Sequence, residues 1–368
     1  MRPYHDFRFQ AARLPLCPVD GDFFVENPAV PDRIDVPQLG LGCVKLGSVA
    51  TGGSTAAIRL VDHALDHGVA FFDTAAAYGD GTSERIVGRA VRAQRSRVVI
   101  ATKAGYRFTE RSRTQRALRW LLAPWLARRA RSAELAAPIS AASANQPARA
   151  SYAAQDFSSA FLRTSLEGSL RRLNTDYIDI FQLHGPPRVC ESDVVRVVEE
   201  FMQAGKVRAF GVGLESLESA NAWLDVKGVR WIQIPFGILD PEAGMGLIAA
   251  ANAKGVNVIV RGVFAAGLLA DIPEGRELLL DSRQRQLRQD VRALASGAGL
   301  DPLVLAAWYA RSQPGVRIVL IGASSRKQLD ENIAALAASA PTAEVAQKLD
   351  ALLGDFLTAR VLETKLAT

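Results

Sequence analysis

The chain has 368 residues, 49% of them hydrophobic, which is enough for one large domain or two medium ones with a sizeable core. Three widely spaced cysteines without a CxxC pair argue against a disulfide framework or a structural zinc site and favour a reducing compartment. The formal net charge of +6 is concentrated in residues 106–152, which hold nine Arg and two acidic residues, so the body of the protein is close to neutral and no general nucleic-acid-binding surface is indicated.

Neither a secretory signal nor a membrane span is indicated by the apolar patterning. The N-terminal residues lack an apolar signal core, and no stretch reaches the ~18 apolar residues that a membrane span needs. We therefore expect a cytoplasmic protein.

Short apolar runs alternate with amphipathic helical patterns along most of the chain. The strand-like runs are apolar nearly throughout, as expected for strands covered on both faces. They cover residues 39–44, 69–74, 97–105, 177–184, 209–214, 230–236, 256–262 and 316–323, and the helical patterns cover residues 55–68, 82–93, 158–173, 192–205, 216–225, 241–255, 301–315 and 326–339. This alternation predicts an α/β fold, a parallel (β/α)8 TIM barrel. A doubly wound sheet is the structural alternative, but Gly40, Gly42 and Gly47 do not form its GxGxxG fingerprint.

Segments outside this repeat define the predicted organisation. Residues 1–35 form an N-terminal extension, 36–340 the barrel, and 341–368 a C-terminal helix or tail. A long insertion after strand 3 covers residues 106–155, and residues 270–300 extend the loop after strand 7. Both occupy βα-loop positions, which a barrel places at its ligand-binding face. Within residues 107–132, Leu and Trp share a helical face and basic residues follow a break at Pro124, so we expect a lid over the mouth. A partner contact and a membrane-surface helix are the alternatives.

Four polar residues at or near strand ends are candidates for chemistry. Asp73 ends the second strand, Lys103 lies in the third, His184 ends the fourth, and Tyr78 follows Asp73 on a loop of small residues. A lysine in an apolar strand must be paired or lose its charge, and Asp73 would be its partner. The ammonium would favour the ionised form of the Tyr78 phenol, and His184 could hydrogen-bond a substrate oxygen. Such a set donates a proton to a carbonyl oxygen or removes one from an alcohol.

Several blocks of the sequence together resemble the aldo-keto reductases, NAD(P)(H)-dependent oxidoreductases on a (β/α)8 barrel. They are LGLGCVKLG, FFDTAAAYGDGTSERIVGRAV, VVIATKAG, SLEGSLRRLNTDYIDIFQLHGP, GKVRAFGVG and LIGASSRKQLDENIAAL, spread over about residues 36–340. The resemblance implies that Asp73, Tyr78, Lys103 and His184 are a catalytic tetrad. Tyr78 would be the general acid in reduction and the general base in oxidation, and hydride would pass between nicotinamide and substrate without a metal.

The resemblance also implies the cofactor contacts. Gly213 and Leu214 replace the Ser-Asn pair that usually binds the nicotinamide carboxamide, and Arg261 replaces an aromatic residue common at the end of strand 7. The implied contacts are Gly42, Cys43, Asp73 and Gln233 towards the nicotinamide and Gly322, Ala323, Ser324, Gln328, Glu331 and Asn332 towards the adenosine phosphate. Arg261 would also contact the cofactor, either by stacking on the nicotinamide or by binding the pyrophosphate. Arg326 and Lys327 would favour NADP(H) over NAD(H) by contacting a 2′-phosphate, unless they only solvate a helix start.

These inferences predict an NADP(H)-dependent oxidoreductase acting on a small carbonyl or alcohol substrate. The alternative is a nucleotide-binding barrel with a regulatory or partner-binding role and little turnover, a reading prompted by the replaced Ser-Asn pair and the basic insertion. We expect neither nucleic-acid binding nor a metal centre.

Overall fold

The computed structural model describes residues 38–46, 51–110, 154–186, 192–214, 220–270 and 276–366. Eight parallel strands close into a barrel in chain order, with the first strand paired to the eighth, which confirms the predicted (β/α)8 fold. The strands are β1 (Leu39–Gly42), β2 (Phe71–Asp73), β3 (Val99–Ala104), β4 (Ile178–His184), β5 (Val207–Gly213), β6 (Val229–Pro235), β7 (Asn257–Arg261) and β8 (Val316–Gly322). Each strand begins and ends within two residues of its predicted bounds.

Helices follow the strands around the outside of the barrel. They are α1 (Ser54–Asp66), α2 (Thr82–Ala90), α3 (Ser159–Leu173), α4 (Ser192–Gln203), α5 (Ala220–Leu224), α6 (Glu242–Ala253), α7 (Ser282–Gly297), α8 (Pro302–Arg311), α9 (Arg326–Ala337) and α10 (Ala343–Leu366). Short 310 helices cover Arg92–Arg97, Ala265–Gly267 and Arg276–Leu279. Among the described residues, none of these helices has the length and apolar character to cross a membrane.

Side chains in the strands separate into an interior and an exterior set, because successive residues of a strand point to opposite faces. One buried cluster fills the barrel: Phe71, Val99, Ala101, Ile180, Ala209, Trp231, Ile259, Ile318 and Leu320. The residues between them face the helices and join a larger core. The interior is tightly filled at its base, where a Cβ on Gly40 would lie 2.7 Å from atoms of both Phe71 and Leu320.

The same alternation decides what faces the mouth of the barrel. Six residues at the C-terminal ends of the strands each follow an interior residue by two positions and so share its face. They are Asp73, Lys103, Gln182, Gln233, Arg261 and Gly322. The interior therefore changes from apolar to polar at this end, which is the ligand-binding end of a TIM barrel.

Several predictions fall on residues outside the described part of the chain. The N-terminal extension is one, and the lid, partner or membrane-surface role of residues 107–132 is another, because the described residues include only its first four positions. What the structure describes of the insertion is its two ends. Tyr106 and Gln155 form an antiparallel bridge, so the insertion leaves and re-enters the barrel at one point.

The first described residues of the insertion are tied to the barrel wall by a network of ion pairs. Glu110 accepts a hydrogen bond of 2.5 Å from Arg172 Nη1 and another of 2.5 Å from Arg85. The Nε of Arg172 donates at 2.6 Å to Glu84, which is fully buried. Arg172 thus joins α2 and α3 to the start of the insertion, and its two carboxylate partners offset the cost of its burial.

Candidate active site

The loop between β2 and α2 carries Tyr78 to the mouth. Residues 79–81 all have positive φ, at 57°, 56° and 81°, and two of the three are glycine, which adopts this conformation without strain. The Tyr78 carbonyl accepts from the Ser83 amide at 3.2 Å, and the Tyr78 amide donates to the Ala75 carbonyl at 3.1 Å. These short-range bonds make the chain turn within a few residues, and the Tyr78 side chain is left half-buried at the rim.

A buried hydroxyl pair fixes this loop to its neighbours. Thr74 Oγ1 and Ser83 Oγ lie 2.9 Å apart, and Ser83 Oγ donates to the Cys43 carbonyl at 2.8 Å. The Thr74 amide donates to Ala101 in β3 at 2.8 Å. The loop that holds Tyr78 is therefore attached to β3 and to the residue that follows β1.

The centre of the site is a buried ion pair between β2 and β3. Lys103 Nζ lies 2.6 Å from both carboxylate oxygens of Asp73 and donates to the Thr74 carbonyl at 3.0 Å. Gln182 Nε2 lies 3.4 Å from Asp73 Oδ1. Burial lowers the pKa of the Lys103 ammonium, and the Asp73 carboxylate opposes that shift. The aspartate thus acts to keep a charged lysine inside the barrel.

The ring of Tyr78 lies beside this ammonium and beside His184. Lys103 Nζ is 5.2 Å from the centroid of the phenol ring, and the Tyr78 and His184 rings are edge to face, 5.7 Å apart at an angle of 83°. The pKa of His184 is held well below 6.5 by burial and, to a smaller extent, by the charges of Lys103 and Arg261. His184 is therefore a neutral imidazole at neutral pH. The structure brings together all four residues singled out in the sequence, and a phenol and a neutral imidazole face one mouth.

Sequence reasoning missed the residues on the far side of His184. The Tyr106 ring meets the His184 ring edge to face at 4.9 Å. Gln155, where the insertion returns, donates from Nε2 to the Gly185 carbonyl at 2.7 Å and lies 3.3 Å from the His184 carbonyl. The base of the insertion therefore helps to position His184. The one available signal was the aromatic residue directly after Gly105 at the end of β3.

Beyond β4 the mouth carries Gly213, Gln233 and Arg261. Gln233 is 2% exposed, and its Nε2 has no hydrogen-bond partner among the described residues. The absence of a side chain at Gly213 keeps the space beside Gln233 open. An added Cβ would crowd it, at 3.3 Å from Gln233 Oε1 and 3.4 Å from Lys103 Cδ. A buried amide donor without a partner is unfavourable unless a ligand accepts from it. A ligand carboxamide oxygen fits this requirement.

Arg261 extends across the mouth from β7 towards β5. Its Nη2 donates to the Leu214 carbonyl at 3.2 Å, and its charge lowers the pKa values of Lys103 and His184. Within the described residues, no carboxylate pairs with it. The guanidinium is thus a positive charge at the mouth of the barrel.

At the other side of the mouth, β8 leads into α9. Gly322 has open space where a Cβ would be, and its carbonyl accepts from Asn332 Nδ2 at 3.2 Å. Gln328 Oε1 accepts from the amide and the hydroxyl of Ser324, at 3.0 and 3.2 Å. Side chains of α9 thus shape the β8–α9 turn, and the N-terminus of a helix after a strand suits a phosphate.

The other residues that the sequence assigns to cofactor binding differ in their burial and contacts. Gly42 pairs with Gly322, so the ends of β1 and β8 are adjacent. Cys43 is fully buried, donates from Sγ to the Leu41 carbonyl at 3.3 Å, and has its thiol pKa raised by burial. Ala323 is buried, whereas Glu331 is exposed and 3.7 Å from Lys327.

Comparison with known proteins agrees with this architecture. A model of the Aldo/keto reductase family matches residues 38–353. The uncharacterized oxidoreductase YqkF of Bacillus subtilis is 27% identical over 328 residues, covering 84% of this chain and 90% of YqkF. The aldo-keto reductase YhdN of the same organism is 28% identical over 318 residues, covering 81% and 84%.

A solved structure of an aldo-keto reductase has a similar fold. The aldo-keto reductase AKR11C1 from Bacillus halodurans superposes with a TM-score of 0.67 at 27% identity, covering 87% of this chain and 93% of its own. Since the family model spans most of the sequence and the relatives match over nearly their full length, the chain belongs to the aldo/keto reductase family of oxidoreductases.

Proposed function

We propose that this protein is an NADP(H)-dependent oxidoreductase that interconverts a carbonyl compound and its alcohol. The observation that carries the proposal is the arrangement of Asp73, Lys103, Tyr78 and His184. A buried ammonium, held at 2.6 Å by a carboxylate, lies 5.2 Å from the centre of a phenol ring that also faces an imidazole. This arrangement suits proton exchange with a substrate oxygen.

Each residue then has a distinct role. In reduction the Tyr78 hydroxyl donates its proton to the carbonyl oxygen, and in oxidation the phenolate takes the proton back from the alcohol. The Lys103 ammonium stabilises that phenolate, and Asp73 keeps Lys103 charged. The neutral His184 donates a hydrogen bond to the same substrate oxygen and orients it. The cofactor, when bound, supplies or accepts the hydride.

The cofactor side of the proposal rests on residues of both halves of the mouth. Gln233 offers its amide to the nicotinamide carboxamide, and the β8–α9 turn at Gly322–Ser324 offers backbone amides to a phosphate. Arg326 and Lys327, at the start of α9, are the partners for a 2′-phosphate, and the Lys327 side chain is 87% exposed. These two residues support NADP(H) over NAD(H).

The experiment is an activity screen with both reduced cofactors. Sugars, aliphatic carbonyls and aromatic carbonyls are offered with NADPH and with NADH, and the absorbance of the reduced nicotinamide is followed. We expect turnover with at least one class and a lower KM for NADPH than for NADH. Replacing Arg326 and Lys327 by Ala should raise the KM for NADPH and leave that for NADH unchanged. Tight NADPH binding by fluorescence with no turnover of any class would instead support a regulatory nucleotide-binding barrel.

A further inference from the structure

Two of the four histidines of the chain stand together on the outer face of the barrel. His63 lies in α1, and His67 follows four residues later at the C-terminal cap of that helix. Their ring centroids are 4.3 Å apart. Asp330 reaches them from α9, with Oδ1 2.6 Å from His63 Nε2. One potential ligand atom from each of the three residues lies within 4.8 Å of the others.

The hydrogen bonding of His67 prepares it to be a metal ligand. Its Nδ1 lies 2.8 Å from the carbonyl oxygen of His63, which can only accept, so Nδ1 carries the hydrogen. The lone pair is then on Nε2. Metal-binding histidines commonly have this arrangement, with one ring nitrogen donating to a carbonyl and the other facing the metal. The helix itself therefore sets both the tautomer and the orientation of this ring.

We propose that His63, His67 and Asp330 form a binding site for a divalent transition-metal ion, with zinc the best fit. Two imidazoles and one carboxylate match the ligand preference of zinc, whereas magnesium and calcium prefer oxygen ligands alone. His63 and Asp330 are 19% and 50% exposed, so water completes the coordination.

Only small movements are needed to seat the ion. Zinc binds nitrogen and oxygen at about 2.0–2.2 Å, which places neighbouring ligands of a tetrahedral site roughly 3.3 Å apart. The exposed Asp330 carboxylate moves back from His63 Nε2 to that separation. The metal replaces the hydrogen shared between them. An imidazolium at His63 releases its Nε2 proton to solvent, whereas a neutral His63 shifts to the tautomer with its hydrogen on Nδ1.

The site lies where the barrel closes. Helix α1 follows β1 and α9 follows β8, and these two strands pair with each other. A metal held by both helices thus links the first and last helices of the barrel. Since the three ligands come together only in the folded chain, the ion should stabilise the native state.

Calorimetric titration of the untagged, metal-free, full-length protein with zinc chloride tests the site. We expect one site per chain with a Kd of about 10 µM or tighter, and a melting temperature raised by roughly a few degrees in excess zinc. His67→Ala and Asp330→Asn should each weaken binding by at least about tenfold. Asp66→Asn, a change at the neighbouring exposed acid on the same helix, is the matched control and should bind zinc like the wild type.

Circular dichroism of each variant establishes that it is folded before titration. His67 is exposed, so its replacement should leave the core packing intact. Absence of saturable binding below about 200 µM zinc would overturn the proposal, and so would an unchanged Kd in His67→Ala, which would place the ion elsewhere. Neither result bears on the carbonyl chemistry, because the three residues are outside the mouth.

Discussion

Lys103 Nζ lies 2.6 Å from each carboxylate oxygen of Asp73, and both side chains are almost completely buried. The two charges depend on one another, because either alone would be an unpaired ion inside the barrel. The energetic cost of keeping them there is understandable if the ammonium is needed beside the Tyr78 ring, 5.2 Å from its centroid.

Separate measurement of stability and activity tests this dependence. Lys103→Met and Asp73→Leu should each lower the free energy of unfolding by about 3–5 kcal/mol, because each leaves a buried charge without its partner. The double variant should be more stable than either single variant, since an apolar pair replaces the ion pair. All three should have lost turnover. Urea unfolding at neutral pH gives the stabilities, and a double variant whose loss equals the sum of the two single losses would contradict the interpretation.

His184 should make the fold sensitive to mild acid. Its folded-state pKa is below 6.5, so between that pKa and 6.5 the unfolded chain binds a proton that the folded chain does not. Stability should therefore be retained above about pH 6.5 and should fall as the pH drops below it. His184→Gln should reduce this fall, whereas the exposed control His67→Gln should keep it. The urea midpoints of wild type and both variants, measured at several pH values in the presence of a chelator, give the loss of stability in acid. An equal loss in His184→Gln and wild type would rule out His184 as the source of the acid sensitivity.

The barrel and much of its mouth could be predicted from the sequence because they depend on local periodicity. Alternation along β2, β3 and β6 places Asp73, Lys103 and Gln233 on the interior side, and the turn residues Gly79 and Gly81 indicate a sharp turn after Tyr78. The C-terminal ends of the strands in a parallel barrel converge. The sequence alone is therefore enough to predict that these side chains lie close together.

Contacts between distant segments could not be predicted in this way. Tyr106 meets His184 only because the insertion returns at Gln155, and no periodicity signals that return. The bond between His63 and Asp330 joins residues 267 positions apart and requires the closure of β1 on β8. The cysteine spacing argued against a structural zinc site, but it carried no information about a histidine pair whose third ligand comes from another helix.

Arg261 should influence which redox state of the cofactor binds more tightly. The oxidised nicotinamide is a cation and the reduced ring is neutral, and Arg261 has no carboxylate partner in the described part of the chain. Its charge should therefore favour the reduced form. Arg261→Gln should lower the ratio of the Kd of NADP+ to that of NADPH by about tenfold, because the oxidised cofactor would then bind relatively more tightly. Arg261→Lys keeps the charge and should lower the ratio much less. Fluorescence titration with both cofactors measures the ratio, and an unchanged ratio in Arg261→Gln would show that the guanidinium does not act on the ring.

The most direct test of the proposed mechanism is the turnover of Tyr78→Phe, measured beside its affinity for NADPH. The substitution removes the hydroxyl and keeps the ring that packs against His184, so the fold and the cofactor site should be preserved. We predict a kcat lower by at least about a hundredfold, as expected for loss of a general acid, with the Kd for NADPH within about twofold of wild type. Turnover equal to that of wild type, with the same carbonyl substrate and NADPH, would contradict the assignment of Tyr78 as the proton donor.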